Sequence, residues 1–208
     1  MNDSEPTKAV WIVKLGGSLA GSTELSSWLR TCAALGGRVV LVPGGGPYAD
    51  SVRRAQREQG FDDAAAHAMA VGAMEQFGQQ LCARQADLVP AATVAALREA
   101  LAAGRTPVWM ACAMVLADPR IAQSWSVTSD SLSAWLAAVL QAEGLVLVKS
   151  VDAGTTDARA LAAAGVVDAA FHQFSAGLKN LRLLHRTQCN RLAVLVGAQR
   201  VEPEPRHV

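Results

Sequence analysis

Three short apolar runs in this chain show no alternation of polar and apolar residues, and each runs into a turn bearing glycine or lysine. Val10-Trp11-Ile12-Val13 leads to Lys14-Leu15-Gly16-Gly17-Ser18. Arg38-Val39-Val40-Leu41-Val42 leads to Pro43-Gly44-Gly45-Gly46-Pro47, and Leu145-Val146-Leu147-Val148 leads to Lys149-Ser150-Val151-Asp152. A strand with one wet face alternates, whereas a strand covered on both faces stays apolar throughout. Separated by helix-patterned segments, such runs predict an α/β protein: a three-layer αβα sandwich around a mostly parallel central sheet. A fourth run, Leu192-Ala193-Val194-Leu195-Val196, is expected as the last strand, and Val108 to Leu116 as one or two short ones.

The segments between the runs are patterned as helices. Residues 24–35 stop at Gly36-Gly37, and a helix from about 47 to 59 precedes a longer one from about 62 to 87, opened by Asp62 or Asp63. Residues 92–103 close at Gly104. After Thr128-Ser129-Asp130, the spacing of Leu132, Trp135, Leu136, Val139 and Leu140 marks an amphipathic helix. No linker divides the chain, so residues 1–200 are expected to form a single domain and 201–208 a loose tail.

Composition narrows the function. The chain is 51% hydrophobic and 18% charged, which suits a well-buried fold. A formal charge of +1 gives no general attraction to nucleic acid. Residues 1–9 lack the apolar run of a signal peptide, and no stretch of eighteen apolar residues predicts a membrane span. Cys32, Cys82, Cys112 and Cys189 lie far apart without a CxxC pair, as expected of reduced thiols in a cytoplasmic protein without a cysteine metal site.

The 19 basic residues include only four lysines: Lys8, Lys14, Lys149 and Lys179. Arginine is the ordinary solvating cation here, so Lys14 and Lys149 at the ends of apolar runs stand out. Compact ammonium groups there suit phosphate chemistry. In a parallel sheet ligands bind beyond the carboxyl ends of the strands, where all three turns fall. Glycines at such a turn let a ligand approach backbone N–H groups beside a helix N-terminus, which forms an anion site. Neither GxxxxGK[ST] nor GxGxxG is present.

Lys14-Leu15-Gly16-Gly17-Ser18, Pro43-Gly44-Gly45-Gly46-Pro47, Thr128-Ser129-Asp130-Ser131-Leu132-Ser133 and the strand into Val151-Asp152 follow the order found in amino acid kinases. The chain therefore resembles that superfamily, which includes acetylglutamate, aspartate, uridylate and isopentenyl phosphate kinases. The phrase Ser124 to Ser133, the short length and the helix around Asp63, His67, Ala70, Met74 and Phe77 are similar to a smaller branch. That branch phosphorylates (5-(aminomethyl)furan-3-yl)methyl phosphate in methanofuran or methylofuran biosynthesis.

The resemblance implies ATP with Mg²⁺ as cosubstrate, a small phosphate as acceptor and assembly into a homo-oligomer, without nucleic acid or membrane partners. It implies catalysis by Lys14, with Asp130 orienting the catalytic lysines. A helix N-cap is the other reading of Asp130. Gly16, Gly17, Ser18, Lys149, Val151 and Asp152 would hold the nucleotide. Gly44, Gly45, Gly46, Arg53, His67, Ser129 and Ser131 would meet the acceptor. For Arg53 and His67 the plainer readings are a solvated helix arginine and a packing histidine. Trp125 adjoins the Thr128–Ser133 motif, while the other tryptophans suit the core.

Two departures stand against the family pattern. Many relatives read Thr-Asp-Val-Asp-Gly and then an aromatic residue where this chain has Lys149-Ser150-Val151-Asp152-Ala153-Gly154-Thr155. Relatives also carry Gly-Gly-Met before a second catalytic lysine. The nearest segment here is Ala176-Gly177-Leu178-Lys179, so Lys179 is either that lysine or a solvated one. A kinase for another small phosphate or carboxylate, and a non-catalytic nucleotide-binding protein of the same fold, are the competing expectations.

Overall fold

The computed structural model describes residues 9–197, and the tail expected over 201–208 lies outside them. Six strands, β1 (Trp11–Leu15), β2 (Val39–Pro43), β3 (Leu88–Ala91), β4 (Thr106–Trp109), β5 (Gly144–Lys149) and β6 (Leu181–His185), form one sheet. Its order is β3-β4-β2-β1-β5-β6, and every neighbouring pair is parallel. Helices α1 (Leu25–Ala33), α2 (Gly46–Gln59), α3 (Asp63–Arg84), α4 (Val94–Ala102) and α5 (Cys112–Val115) fall in the first half. Helices α6 (Ser129–Leu140), α7 (Ala158–Ala163), α8 (Phe171–Phe174) and α9 (Leu192–Leu195) complete the described chain. This is the three-layer α/β architecture that the unalternating runs predict.

The sheet separates two apolar layers. Trp11, Val13 and Leu15 of β1 pack with Trp28, Leu29 and Cys32 of α1 and with Val146 and Val148 of β5. Ile12, Leu145 and Leu147 point to the opposite face and meet Leu132 and Leu136 of α6 and Phe171 of α8. Helix α3 reaches both layers, through Val71 and Met74 on one side and Phe77 and Leu81 on the other. Fully burying side chains of this size contributes about 1.5–3 kcal/mol each before conformational entropy is counted.

One sequence expectation fails and another holds in part. Leu192–Leu195 is helix α9, where Leu192 and Val196, four residues apart, are buried while Val194 is 77% exposed. Four-residue spacing is the signature of one helix face. The sixth strand is instead Leu181–His185, whose Leu-Arg-Leu-Leu-His sequence suits an edge position. The Val108–Leu116 stretch gives β4 and then the short helix α5.

Chain direction fixes where a ligand fits. From β1 the chain moves to β2 on one side, and from β5 it moves to β6 on the other. The carboxyl ends of β1 and β5 therefore flank the point where strand order reverses, the place where open α/β sheets bind ligands.

Candidate active site

Strand alternation sends Lys14 to the same face as Ile12, and Lys149 to the same face as Leu145 and Leu147. Both ammonium groups thus leave adjacent strands toward α6. Asp130 sits in the first turn of that helix, where the helix dipole favours a carboxylate. Lys14 Nζ lies 2.8 Å from Asp130 Oδ1. Lys149 Nζ donates to Asp130 Oδ1 at 2.9 Å and Oδ2 at 2.8 Å, and to the Val166 carbonyl at 2.6 Å.

These are buried charges: residual exposure is 4% for Lys14 and 6% for Asp130. Burial alone would push the Asp130 carboxyl up, but Lys14 and Lys149 outweigh it and hold it below the ordinary carboxylate value. Burial and the Lys14 charge push the Lys149 ammonium down to about 8, against the opposing pull of Asp130. Two cations around one anion leave the cluster with a net positive charge at neutral pH, aimed at the strand ends.

Asp130 is not the helix cap. The N-cap is Thr128, and its partner is Asp168, from the segment before α8. Asp168 Oδ2 accepts from the Thr128 N–H at 3.0 Å, the Thr128 hydroxyl at 2.8 Å and the Ser131 N–H at 3.0 Å. Asp168 Oδ1 accepts from the Ser131 hydroxyl. Sequence reasoning passed over Asp168, since no local pattern links it to residues 37 and 40 positions earlier. Ser131, expected at the acceptor, is fully buried and committed to Asp168.

The two glycine loops touch. A Cβ on Gly17 would lie 2.5 Å from the Gly46 nitrogen, and one on Gly44 would lie 2.7 Å from the Gly17 nitrogen. Any larger residue would drive the loops apart. Gly46 also holds φ +54° as α2 begins, a conformation glycine adopts without penalty. The result is a backbone-lined hollow at the ends of β1 and β2, beside a helix N-terminus, which fits phosphate groups.

A cavity of about 730 Å³ opens from this junction. Gly17, Ser18, Gly45, Gly46, Arg53, His67 and Ser129 line it, together with apolar Val71, Met74 and Leu132. The Arg53 guanidinium stacks 3.8 Å from the centre of the Trp125 ring, whose indole N–H donates to Gln56 Oε1 at 2.6 Å. Trp125 is thus a wall of the cavity, while Trp28 and Trp109 are fully buried core. Asp50 is a further lining residue that the sequence did not mark. His67 Nδ1 lies 3.3 Å from the Ser124 carbonyl, and its buried Nε2 has no hydrogen-bond partner. Burial lowers the pKa of this imidazole and so favours the neutral ring, against the raising effect of the Ser124 contact.

Other expected residues fall elsewhere. Gly16 adjoins the cluster, a Cβ on it falling 3.9 Å from Lys14 Nζ. Val151 and Asp152 occupy the exposed loop after β5, outside the cavity lining. Lys179 does not reach the site. It precedes β6, is 65% exposed and pairs loosely with Glu143 at 3.7 Å, at the amino edge of the sheet. The second ammonium beside Asp130 comes from Lys149 instead. Among the described residues no three His, Cys, Asp or Glu side chains gather into a metal site, and no helix is long and apolar enough to cross a membrane.

Comparison with known proteins bears on the fold and the family. The uridylate kinase of Archaeoglobus fulgidus superposes with a TM-score of 0.67 at 16% identity, over 91% of this chain and 96% of that one. An isopentenyl phosphate kinase gives 0.56 at 16% identity, over 91% and 97%. These likenesses show a shared fold. In sequence the chain is 26% identical over 143 residues to the [5-(aminomethyl)furan-3-yl]methyl phosphate kinase of Methanocaldococcus jannaschii. The match spans 68% of this chain and 66% of that protein. Residues 9–157 match the model of the amino acid kinase family, and the chain belongs to that family.

Proposed function

We propose that the protein is an ATP-dependent small-molecule kinase whose acceptor is itself a phosphate, (5-(aminomethyl)furan-3-yl)methyl phosphate, converted to the diphosphate. One observation carries the reading: the buried Lys14–Asp130–Lys149 cluster lies at the reversal of strand order, beside the junction of two glycine loops. Phosphoryl transfer asks a protein to align two anions and neutralise the charge of the transferring group. A net-positive cluster beside backbone hollows supplies both.

An oxygen of the acceptor phosphate forms the new bond to the γ-phosphorus. The bond from that phosphorus to the β,γ-bridging oxygen breaks, and its electron pair leaves on ADP. The attacking oxygen is already anionic at neutral pH, so no general base is required. Among the described residues Lys14 meets one acceptor atom, which leaves donors for phosphate oxygens. Gly16, Gly17 and Ser18 cradle the nucleotide phosphates, and Lys149, Val151 and Asp152 lie along the nucleotide side. A magnesium ion would be carried by ATP oxygens and water. The four free thiols support a reducing, cytoplasmic setting.

The cavity supports the choice of acceptor. Gly45, Gly46 and Ser129 take the phosphate end. Val71, Met74 and Trp125 offer apolar contact to a flat ring, while Asp50 and Arg53 mark the charged rim. Asp50 suits a primary ammonium, and the sequence likeness to the M. jannaschii protein favours the same acceptor.

A panel of phosphates and carboxylates, each with ATP and magnesium, tests the reading by ADP release. The furan phosphate is expected to be the best acceptor. Faster turnover of an isoprenoid phosphate or an amino acid would reassign the substrate. Nucleotide binding without turnover of any acceptor would instead make this a binding protein.

A further inference from the structure

Lys149 does more than border the nucleotide. Its three ammonium donors are matched by three acceptor atoms: both oxygens of Asp130 and the Val166 carbonyl. Lys14, by contrast, is held by a single oxygen of the same carboxylate. The Asp130 carboxylate is therefore fixed in position chiefly by Lys149, and it fixes Lys14 in turn.

Resting on the kinase reading, we infer that Lys149 is a positioning residue for phosphoryl transfer: it locks Asp130 so that Lys14 is aimed, and it keeps the centre net positive. Two features carry this. First, no other lysine is available among the described residues, because Lys179 lies at the opposite edge of the sheet. Second, the arithmetic of charge requires it. With Lys149 neutral, Asp130 would cancel Lys14, and these three ion-paired residues would face a triphosphate with no net charge, the nearby Asp168 being engaged by Thr128 and Ser131 at the start of α6. This arrangement takes the second cation from the end of β5, in the segment where the chain departs from its relatives' Thr-Asp-Val-Asp-Gly pattern.

The groups facing Lys149 are Asp130 from α6, Lys14 from β1, Asp168 from the segment before α8 and His185 from its register partner on β6. Burial and Lys14 push the Lys149 ammonium down to about 8. The charge is thus present at neutral pH and is lost as pH rises, so kcat should fall along an alkaline limb.

The test uses steady-state kinetics of the full chain and of Lys149→Met and Lys149→Arg. Lys149→Met is expected to lower kcat by about 10²–10³-fold. The KM for ATP should change by less than about threefold, since an interaction specific to the transition state is removed. Lys149→Arg keeps the charge, so it should recover part of the rate and move the alkaline limb to higher pH. Adding Lys149→Met to Asp130→Asn should cost little more than Asp130→Asn alone, because the two act as a unit.

Wild-type turnover that Lys149→Met shares, or a loss confined to the KM for ATP, would overturn the inference alone. An alkaline limb unchanged in Lys149→Arg would do the same, and this arm stands even if Lys149→Met fails to fold. Absence of wild-type turnover with every acceptor would remove the kinase reading, and this inference with it.

Discussion

Asp168 caps α6 from a distant part of the chain, accepting the N–H of Thr128 at 3.0 Å and its hydroxyl at 2.8 Å. This contact fixes the helix end that carries Asp130, two residues further on. Asp168→Ala should destabilise the protein by about 1–3 kcal/mol, the cost of a lost cap and stranded donors. Because α6 then loses its fixed start, kcat should fall as well. Urea denaturation and steady-state kinetics on the same preparation check both; an unchanged kcat would separate the cap from the site.

The contact between the glycine loops gives a steric prediction. A methyl group on Gly17 would lie 2.5 Å from backbone nitrogen, which cannot swing aside as a side chain can. Gly17→Ala should cost about 1–3 kcal/mol and weaken ATP binding, because the hollow itself opens. Calorimetric titration with a non-hydrolysable ATP analogue reads the second effect. Gly21→Ala is the control, since a Cβ there meets no atom within 4 Å.

Acid should act through Asp130. Its folded value lies below the ordinary 3.8, so the unfolded chain takes up the proton first as pH falls. The stability it contributes is therefore present above about pH 4 and is lost as pH falls through the lower folded value. Asp130→Asn should remove this part of the acid dependence. It should also destabilise the neutral protein by about 3–5 kcal/mol, since two buried ammonium groups lose their counter-charge. Urea midpoints across the acid range, compared between wild type and variant, report both.

Lys179 is expected to be silent. An exposed ion pair of 3.7 Å contributes little, so Lys179→Ala should change stability by less than about 1 kcal/mol. Turnover should match wild type. A large loss of kcat would mean that the segment before β6 moves to the phosphates during the reaction.

The central sheet was legible because β1, β2 and β5 are buried on both faces and therefore written as unbroken apolar runs. Strand β3 was not, as it has four residues, one of them Pro90, and only its first and last residues are buried. Edge strand β6 carries Arg182 and His185, so it lacked the apolar signal that the helix at Leu192–Leu195 displayed instead. The candidate site divided along the same line. Lys14, the glycine loops and Asp130 were readable from their places at strand and helix ends. The partnership of Lys149 with Asp130 depends on two elements meeting over one sheet face, and the Asp168 cap on a contact spanning 40 residues. Neither leaves a local trace.

The most direct measurement follows the label from ATP carrying a radioactive γ-phosphate, incubated with the furan phosphate and either wild-type protein or Lys14→Ala. Wild type should move the label into a diphosphate product. Lys14→Ala should do so at least about 10²-fold more slowly while binding ATP with similar affinity. Label remaining on ATP with wild type, or transferred equally well without the Lys14 ammonium, would contradict the account.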